Sequence, residues 1–185
     1  MALRHAVLAT LLGGEASGYE LAKRFDVSVA NFWHALPQQL YAELRRLEDE
    51  GLVRGRAVRQ RGRPDKRVFA ITRGGRDALR AFAAAPAKPG AIKDDLMVKV
   101  QAVAEADHAA LAAEIEERGR QAAAKLERYE RLADALEDPD GADLGPQLTL
   151  ARGIAFERET VSWCAWAAPR LRAAAATPPA ARGAR

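Results

Sequence analysis

The sequence predicts a mainly helical protein of two domains, in which a single β-hairpin interrupts the helices. Leu40, Leu44 and Leu47 stand three and four positions apart, a spacing that puts them on one face of a helix. Two short β-prone segments, residues 52–59 and 67–72, follow directly, and the C-terminal half repeats its apolar positions over much longer helices. A helix followed by a hairpin is the arrangement of a winged helix-turn-helix domain with a two-stranded β wing.

Two short helices are predicted before the Leu40 helix. Residues 3–12 carry an apolar stripe and end at a pair of glycines. Ser17 and Glu20 have the three-residue spacing of a capping box, which predicts a second helix over residues 18–26. We expect this second helix to bury part of Tyr19 in the core.

The Leu40 helix is the third of the domain. Pro37 can occupy its first turn, where a missing N–H group has no consequence, and Gly51 can end it by adopting a positive φ. Three helices in this order form a helix-turn-helix, in which the third helix enters the major groove of DNA.

Basic residues concentrate in the hairpin. Between residues 52 and 68 seven Lys and Arg side chains accompany a single acid, Asp65. Residues 1–83 carry 15 basic and 9 acidic side chains, a net charge of +6, which leaves −2 for the remainder of the chain. A positive field confined to one half is typical of a protein that binds a polyanion. The alternative is a charged turn that is simply solvated.

The second domain follows a break rich in Pro and Gly. Thr72 is predicted to cap a helix over residues 73–84. Three helices are then expected, the second capped by Asp107 and close to 30 residues long, or about 45 Å. Such a helix needs a second copy to cover it, which predicts a homodimer. A helical hairpin folded against its own N-terminal domain is the alternative. The expected division is residues 1–85, the linker 86–91, the helical dimerisation domain 92–176 and a flexible tail 177–185.

Several classes of protein are not expected. The sequence has no glycine-rich phosphate loop, no HExxH or G-x-S-x-G motif, and no Cys or His pairs at metal-ligand spacing. We therefore predict that the chain is not an enzyme and needs no cofactor or metal. It lacks a signal peptide and an apolar run that could span a membrane, and its lone Cys164 cannot form an internal disulfide. These features favour a cytoplasmic location without membrane contact.

Four motifs resemble the PadR family of bacterial transcriptional regulators. They are SGYEL at residues 17–21, YAELRRLEDEGLV at 41–53, GRP at 62–64 and FAITRGGR at 69–76. The C-terminal helices resemble the virulence-activator-type domain of longer PadR-like proteins. The resemblance implies a dimeric winged-helix transcription factor, often a repressor, that binds an inverted-repeat operator in double-stranded DNA. It also implies release from DNA by a small aromatic effector in those members that have one.

Candidate DNA-binding residues lie on the third helix and the hairpin. Gln38, Gln39 and Ala42 lie early on the helix, opposite its leucine stripe, and Gln can bond adenine bidentately in the major groove. The alternative is that they are only polar surface. This chain departs from the commonest family pattern at these positions, so the resemblance does not say which bases are read. Phosphate contacts are predicted for Lys23, Tyr41, Arg45, Arg61, Arg63, Lys66 and Arg67. The alternatives are that Tyr41 is partly buried and that the wing cations reach a minor groove.

Three tryptophans are candidates for an effector site at the dimer interface, namely Trp33, Trp163 and Trp166. An aromatic cluster at a dimer seam can equally be core. Cys164, next to Trp163, is expected to be a buried structural cysteine rather than a sensing thiol. A second functional hypothesis is a helical protein–protein adaptor that uses its winged helix as a docking surface.

Overall fold

The computed structural model describes residues 2–28, 35–59, 65–87, 93–134, 136 and 144–176. It divides into two compact units, Met1–Pro89 and Gly90–Arg185. Within these residues, no helix is both long enough and apolar enough to cross a membrane.

The N-terminal unit consists of helices around a small sheet, as the leucine spacing and the β-prone segments predict. Its helices are α1 (Ala2–Thr10), α2 (Gly18–Ser28), α3 (Pro37–Asp49) and α4 (Arg73–Ala84), with a short 3-10 turn (Leu11–Gly13) after α1. Its strands are β1 (Ala16–Ser17), β2 (Val53–Val58) and β3 (Lys66–Ile71). The mainly α fold with a β-hairpin wing is confirmed.

The sheet contains one strand more than the two we predicted. Its order is β1-β3-β2, with both pairs antiparallel, so β3 is the central strand. Ala16 of β1 and Gly55 of β2 both pair with Phe69 of β3. The two-residue β1 is too short to show an alternating pattern, and only its tertiary pairing makes it a strand. This strand ties the start of α2 to the wing.

One apolar core holds the unit together. It includes the α3 stripe, with Leu40, Leu44 and Leu47 each no more than 2% exposed. Leu21 and Phe25 of α2 are also buried as the pattern requires. The expectation for Tyr19 is wrong, because its side chain is 64% exposed and lies under the Lys23 ammonium, 5.0 Å from the ring centroid. The remaining core residues are Val7, Leu8, Leu11, Ala16, Val53 and Phe69.

The ends of the helices form as the sequence indicates. Gly51 has φ of +70°, a conformation that a side chain would strain, directly after α3. The Thr72 hydroxyl accepts the Gly75 N–H at 3.1 Å, which caps α4. Ser17 and Glu20 form a reciprocal capping box at the start of α2, with distances of 2.8 Å and 3.3 Å.

The C-terminal unit contains three helices. They are α5 (Asp95–Gln101), α6 (His108–Asp134) and α7 (Leu144–Ala176). α5 ends at Gln101, because the chain leaves the α conformation at Ala102 and continues as a 3-10 turn. The predicted cap of α6 forms, since Asp107 Oδ1 accepts the N–H groups of Ala109 and Ala110 at 2.9 and 3.1 Å.

Helices α6 and α7 pack closely on one another. A Cβ added at Gly119 of α6 would lie 3.0 Å from the Cβ of Cys164 on α7, so the glycine permits this close approach. The opposite face of α7 keeps large apolar side chains in solvent, with Leu144, Leu148 and Trp166 between 56% and 63% exposed. These three residues lie on one side of α7, with Leu148 and Trp166 about five turns apart, and together we call them the α7 stripe.

Candidate nucleic-acid interface

Helix α3 has one buried face and one open face. Because the leucine stripe packs into the core, the opposite side of the helix turns Gln38, Gln39, Ala42 and Arg45 to solvent. Apart from Tyr41, these are all of the α3 residues that we predicted to contact DNA. The open face thus presents amides, a small side chain and a cation together.

Gln39 is held by its own helix. Its side-chain Oε1 accepts the backbone N–H of Leu36 at 2.8 Å, which satisfies a donor just before the first turn of α3. Reading adenine bidentately needs both the oxygen and the nitrogen of an amide. Gln38 makes no such contact with the described residues, and it is therefore the stronger of the two candidates.

Tyr41 lies against the start of α2. A Cβ added at Gly18 would come within 2.1 Å of the Tyr41 ring, so the ring rests directly on the Gly18 backbone. The side chain still exposes 43% of its surface. Tyr41 is thus partly packed and partly open, and the absence of a side chain at Gly18 sets its position.

Replacing Gly18 by Ala should move Tyr41 without unfolding the unit. The new methyl group occupies the space of the ring, and the exposed Tyr41 can rotate outward rather than compress the core. We expect a loss of stability of about 1–3 kcal/mol, measured by urea denaturation. In the Tyr41→Ala background the same substitution should cost much less, and equal costs in both backgrounds would contradict the contact.

The two wing cations on β3 are both paired with helix carboxylates. Lys66 Nζ donates to Glu20 Oε1 of α2 at 3.0 Å. The Arg67 guanidinium donates to Glu48 Oε1 of α3 at 2.7 Å. On β2, Arg56 donates to Glu15 Oε2 with its Nε at 3.2 Å. These three pairs offset part of the positive charge that the sequence concentrates in the hairpin.

Other cations of the unit are exposed and form no ion pair among the described residues. Arg45 on α3, together with Arg54 and Arg59 in the hairpin, is of this kind. Lys23 contacts only the Tyr19 ring among those residues. Arg61 and Arg63, predicted to lie at the tip of the wing, fall outside the residues described. An unpaired, exposed guanidinium is the form of arginine best able to engage a phosphate.

Comparison with known proteins decides the family. Residues 7–81 match the transcriptional regulator PadR-like family, and residues 92–172 match the virulence activator alpha C-terminal family. A probable transcriptional regulator of Mycobacterium tuberculosis is 38% identical over 177 residues, which cover 88% of this chain and 94% of that protein. The chain belongs to the PadR-like family of transcriptional regulators. Members of this family are transcriptional regulators and not enzymes.

Relatives from Bacillus subtilis connect the PadR-like fold to DNA. The negative transcriptional regulator PadR of this organism is 28% identical over 168 residues, 87% of this chain and 92% of that one. Its crystal structure in complex with operator DNA superposes with a TM-score of 0.77 at 26% identity, covering 92% of this chain and 99% of that chain. A further structure of B. subtilis PadR, in complex with p-coumaric acid, has a TM-score of 0.69 at 25% identity, covering 93% and 99%.

The carboxylates that pair with the β3 cations on this PadR-like surface, Glu20 and Glu48, are not evident from the sequence. Sequence patterns give Glu20 only a capping role, and they give Glu48 none at all. Glu48 does stand just before the hairpin in the sequence, whereas Glu20 is 46 residues from Lys66 and carries no such signal. Gly55 was a second signal, because glycine inside a strand often marks a close approach of other groups.

The two candidate effector residues that the structure describes, Trp163 and Trp166, have different surroundings on α7. Trp163 is partly buried against the C-terminal core, whereas Trp166 is 56% exposed with the Arg170 guanidinium 4.2 Å from its ring centroid. Trp33 lies outside the described residues. Cys164 is buried, as expected, and burial raises the pKa of its thiol. Within the described residues, no group of three His, Cys, Asp or Glu side chains is placed to hold a metal ion.

Acid should weaken the N-terminal unit through Glu20. The Ser17 backbone N–H, with Lys66 and the Ser17 hydroxyl, lowers the pKa of Glu20 from 4.5 to about 2. Because the folded-state pKa is depressed, this stabilisation is complete above the unfolded value and is lost as the pH falls from 4.5 toward 2. Urea midpoints measured from pH 6 to 2 should fall less steeply for Glu20→Gln than for the wild type. Identical pH dependence in both proteins would contradict this assignment.

Proposed function

We propose that this PadR-like regulator is a homodimeric repressor that binds an inverted-repeat operator through the open face of α3 and the basic wing. Gln38 and Ala42 contact base edges, while Arg45, Arg61 and Arg63 contact phosphates. Tyr41, which lies over Gly18, adds a phosphate contact, and Lys23 makes a weaker one. Lys66, paired with Glu20, remains a phosphate candidate at the base of the wing.

The observation that carries the proposal is the division of α3 into a sealed face and an open one. The three leucines anchor the helix in the core, so its open side chains are held at fixed positions. Contacts to base edges require this, because specificity depends on geometry and not on charge alone. A relative crystallised in complex with operator DNA supports DNA as the ligand, and a relative named as a negative regulator supports repression.

The homodimer is proposed from the α7 stripe. Large apolar side chains on one face of a long helix are ordinarily covered, and here one chain leaves them exposed. A two-fold dimer would present two copies of α3 to two half-sites, about 34–36 Å apart along the duplex. An inverted repeat is the DNA sequence that has this symmetry.

A small aromatic acid is the proposed effector, because a relative has been crystallised with p-coumaric acid. A pocket of about 340 Å³ lies at α5 and the start of α6, with Leu111 in its wall and Lys99 and Glu114 among its charged residues. Neither Trp163 nor Trp166 lines this pocket. Calorimetric titration with p-coumaric acid tests for binding, and the absence of any binding heat would contradict the proposal. A change in tryptophan fluorescence during the same titration would place the acid beside Trp163 or Trp166, whereas binding without a change would favour the pocket.

Electrophoretic mobility tests DNA binding directly. The wild type should shift genomic fragments, including that of its own promoter, in a manner that added salt reverses. Arg61→Ala combined with Arg63→Ala should abolish the shifted band, whereas Arg80→Ala on α4, already paired with Asp77, should not. Failure to bind any duplex in a salt-sensitive way would instead favour the protein–protein adaptor.

A further inference from the structure

Glu48 of α3 contacts both strands of the wing. Its Oε1 accepts the Gly55 N–H of β2 at 3.0 Å and the Arg67 guanidinium of β3 at 2.7 Å. The Glu48 side chain is only 26% exposed, whereas that of Arg67 is 60% exposed. One carboxylate oxygen therefore links the third helix to two strands, and we call Glu48, Gly55 and Arg67 the Glu48 brace.

The brace depends on the missing side chain at Gly55. A Cβ there would come within 2.6 Å of both Glu48 Oε1 and Arg67 Nε, and within 3.1 Å of the Phe69 ring. Its φ is not positive, so glycine is needed for this close approach and not for the backbone conformation. With no Cβ at that position, the carboxylate and the guanidinium meet directly over β2.

Glu48 also satisfies the edge of the sheet. β2 pairs only with β3 in the part of the chain that the structure describes, so N–H groups on its outer side have no neighbouring strand there. The Glu48 carboxylate accepts one of them, and a charged acceptor makes both of its hydrogen bonds stronger than neutral ones. The wing is thus connected to α3 by polar contacts with a defined direction, in addition to the apolar core.

We propose that Glu48 and Arg67 are positioning residues that fix the wing relative to α3, and that Arg67 does not contact phosphate. This inference rests on the DNA-binding function proposed above, and it revises the role that the sequence predicted for Arg67. Moving the guanidinium to a phosphate would leave the Glu48 carboxylate unpaired beside the DNA backbone, where like charges repel. Arg45, which has no carboxylate partner among the described residues, is the matched cation for comparison.

The test measures the affinity of the full chain for a genomic DNA fragment that it binds, at several salt concentrations. Glu48→Gln should bind within about threefold of the wild type, because a Gln oxygen can accept both hydrogen bonds. Glu48→Ala should bind about tenfold more weakly, the loss expected from one charge-assisted hydrogen bond. Arg67→Ala should weaken binding with the salt slope unchanged, whereas Arg45→Ala should flatten the slope by about 0.9 for each phosphate that the protein no longer neutralises.

Two results would overturn the proposal. If Glu48→Gln and Glu48→Ala both bind more tightly with steeper salt slopes, Glu48 only masks the charge of Arg67. If Arg67→Ala flattens the slope as Arg45→Ala does, Arg67 is a phosphate ligand.

Hydrogen exchange at the Gly55 amide is a readout that needs no DNA. Exchange should accelerate in Glu48→Ala but not in Glu48→Gln, and this result separates failure of the brace from failure of the DNA-binding proposal.

Discussion

Substituting both Leu148 and Trp166 by Asp should convert the proposed dimer into a monomer. The two side chains lie on the α7 stripe, 63% and 56% exposed in one chain, where a partner helix would bury them. Burying two carboxylates without partners costs several kcal/mol, more than an interface of this kind can absorb. The mass measured by light scattering should fall by half. Affinity for a two-half-site operator should fall by about 100- to 10,000-fold, because linkage between the two binding units is lost.

Leu12→Asp is the matched control for this substitution. Leu12 is a 48% exposed apolar residue of the N-terminal unit, so its replacement introduces a carboxylate outside the C-terminal unit. It should leave both the mass and the affinity close to those of the wild type. A double α7 variant that remains dimeric would show that another surface joins the two copies.

Replacing Leu44 by Ala should have the largest effect on stability. Leu44 is 1% exposed at the centre of the α3 stripe, where it packs in the core of the N-terminal unit. Removing a buried leucine side chain typically costs about 2–5 kcal/mol, the transfer free energy together with the cavity that remains. Urea denaturation followed by circular dichroism should show this loss, and DNA binding should disappear at temperatures where the unit has unfolded.

Leu36→Ala makes the same chemical change as Leu44→Ala, but at an exposed position. Leu36 immediately precedes α3 and is 65% exposed, and only its backbone takes part in capping the helix. The same chemical change there should alter stability by less than about 0.5 kcal/mol. Comparable losses at both positions would mean that the α3 stripe is not the anchor of the helix.

The positions of the helices could be predicted from the sequence because local chemistry determines them. The leucine spacing of α3, the capping box of Ser17 and Glu20, and the glycine after α3 each act within a few residues. The basic hairpin could be predicted for the same reason. Strand β1 could not, because two residues carry no periodic signal and become a strand only by pairing with β3.

Side-chain partners were less predictable than helices. The sequence shows seven cations in the hairpin region and gives no indication of which ones are neutralised. Lys66 and Arg67 meet Glu20 and Glu48 only after the hairpin has folded against α2 and α3, across separations of 46 and 19 residues.

Selection of bound fragments from a genomic library tests the central claim most directly, because the protein itself picks out its operator from all available sequences. We predict that the retained fragments share an inverted repeat, with half-sites about 10–10.5 base pairs apart or a multiple of that distance. Retention should weaken steeply as salt rises. Fragments without a common repeat, or retention that is indifferent to salt, would contradict a paired molecule that reads DNA through α3 and its wing.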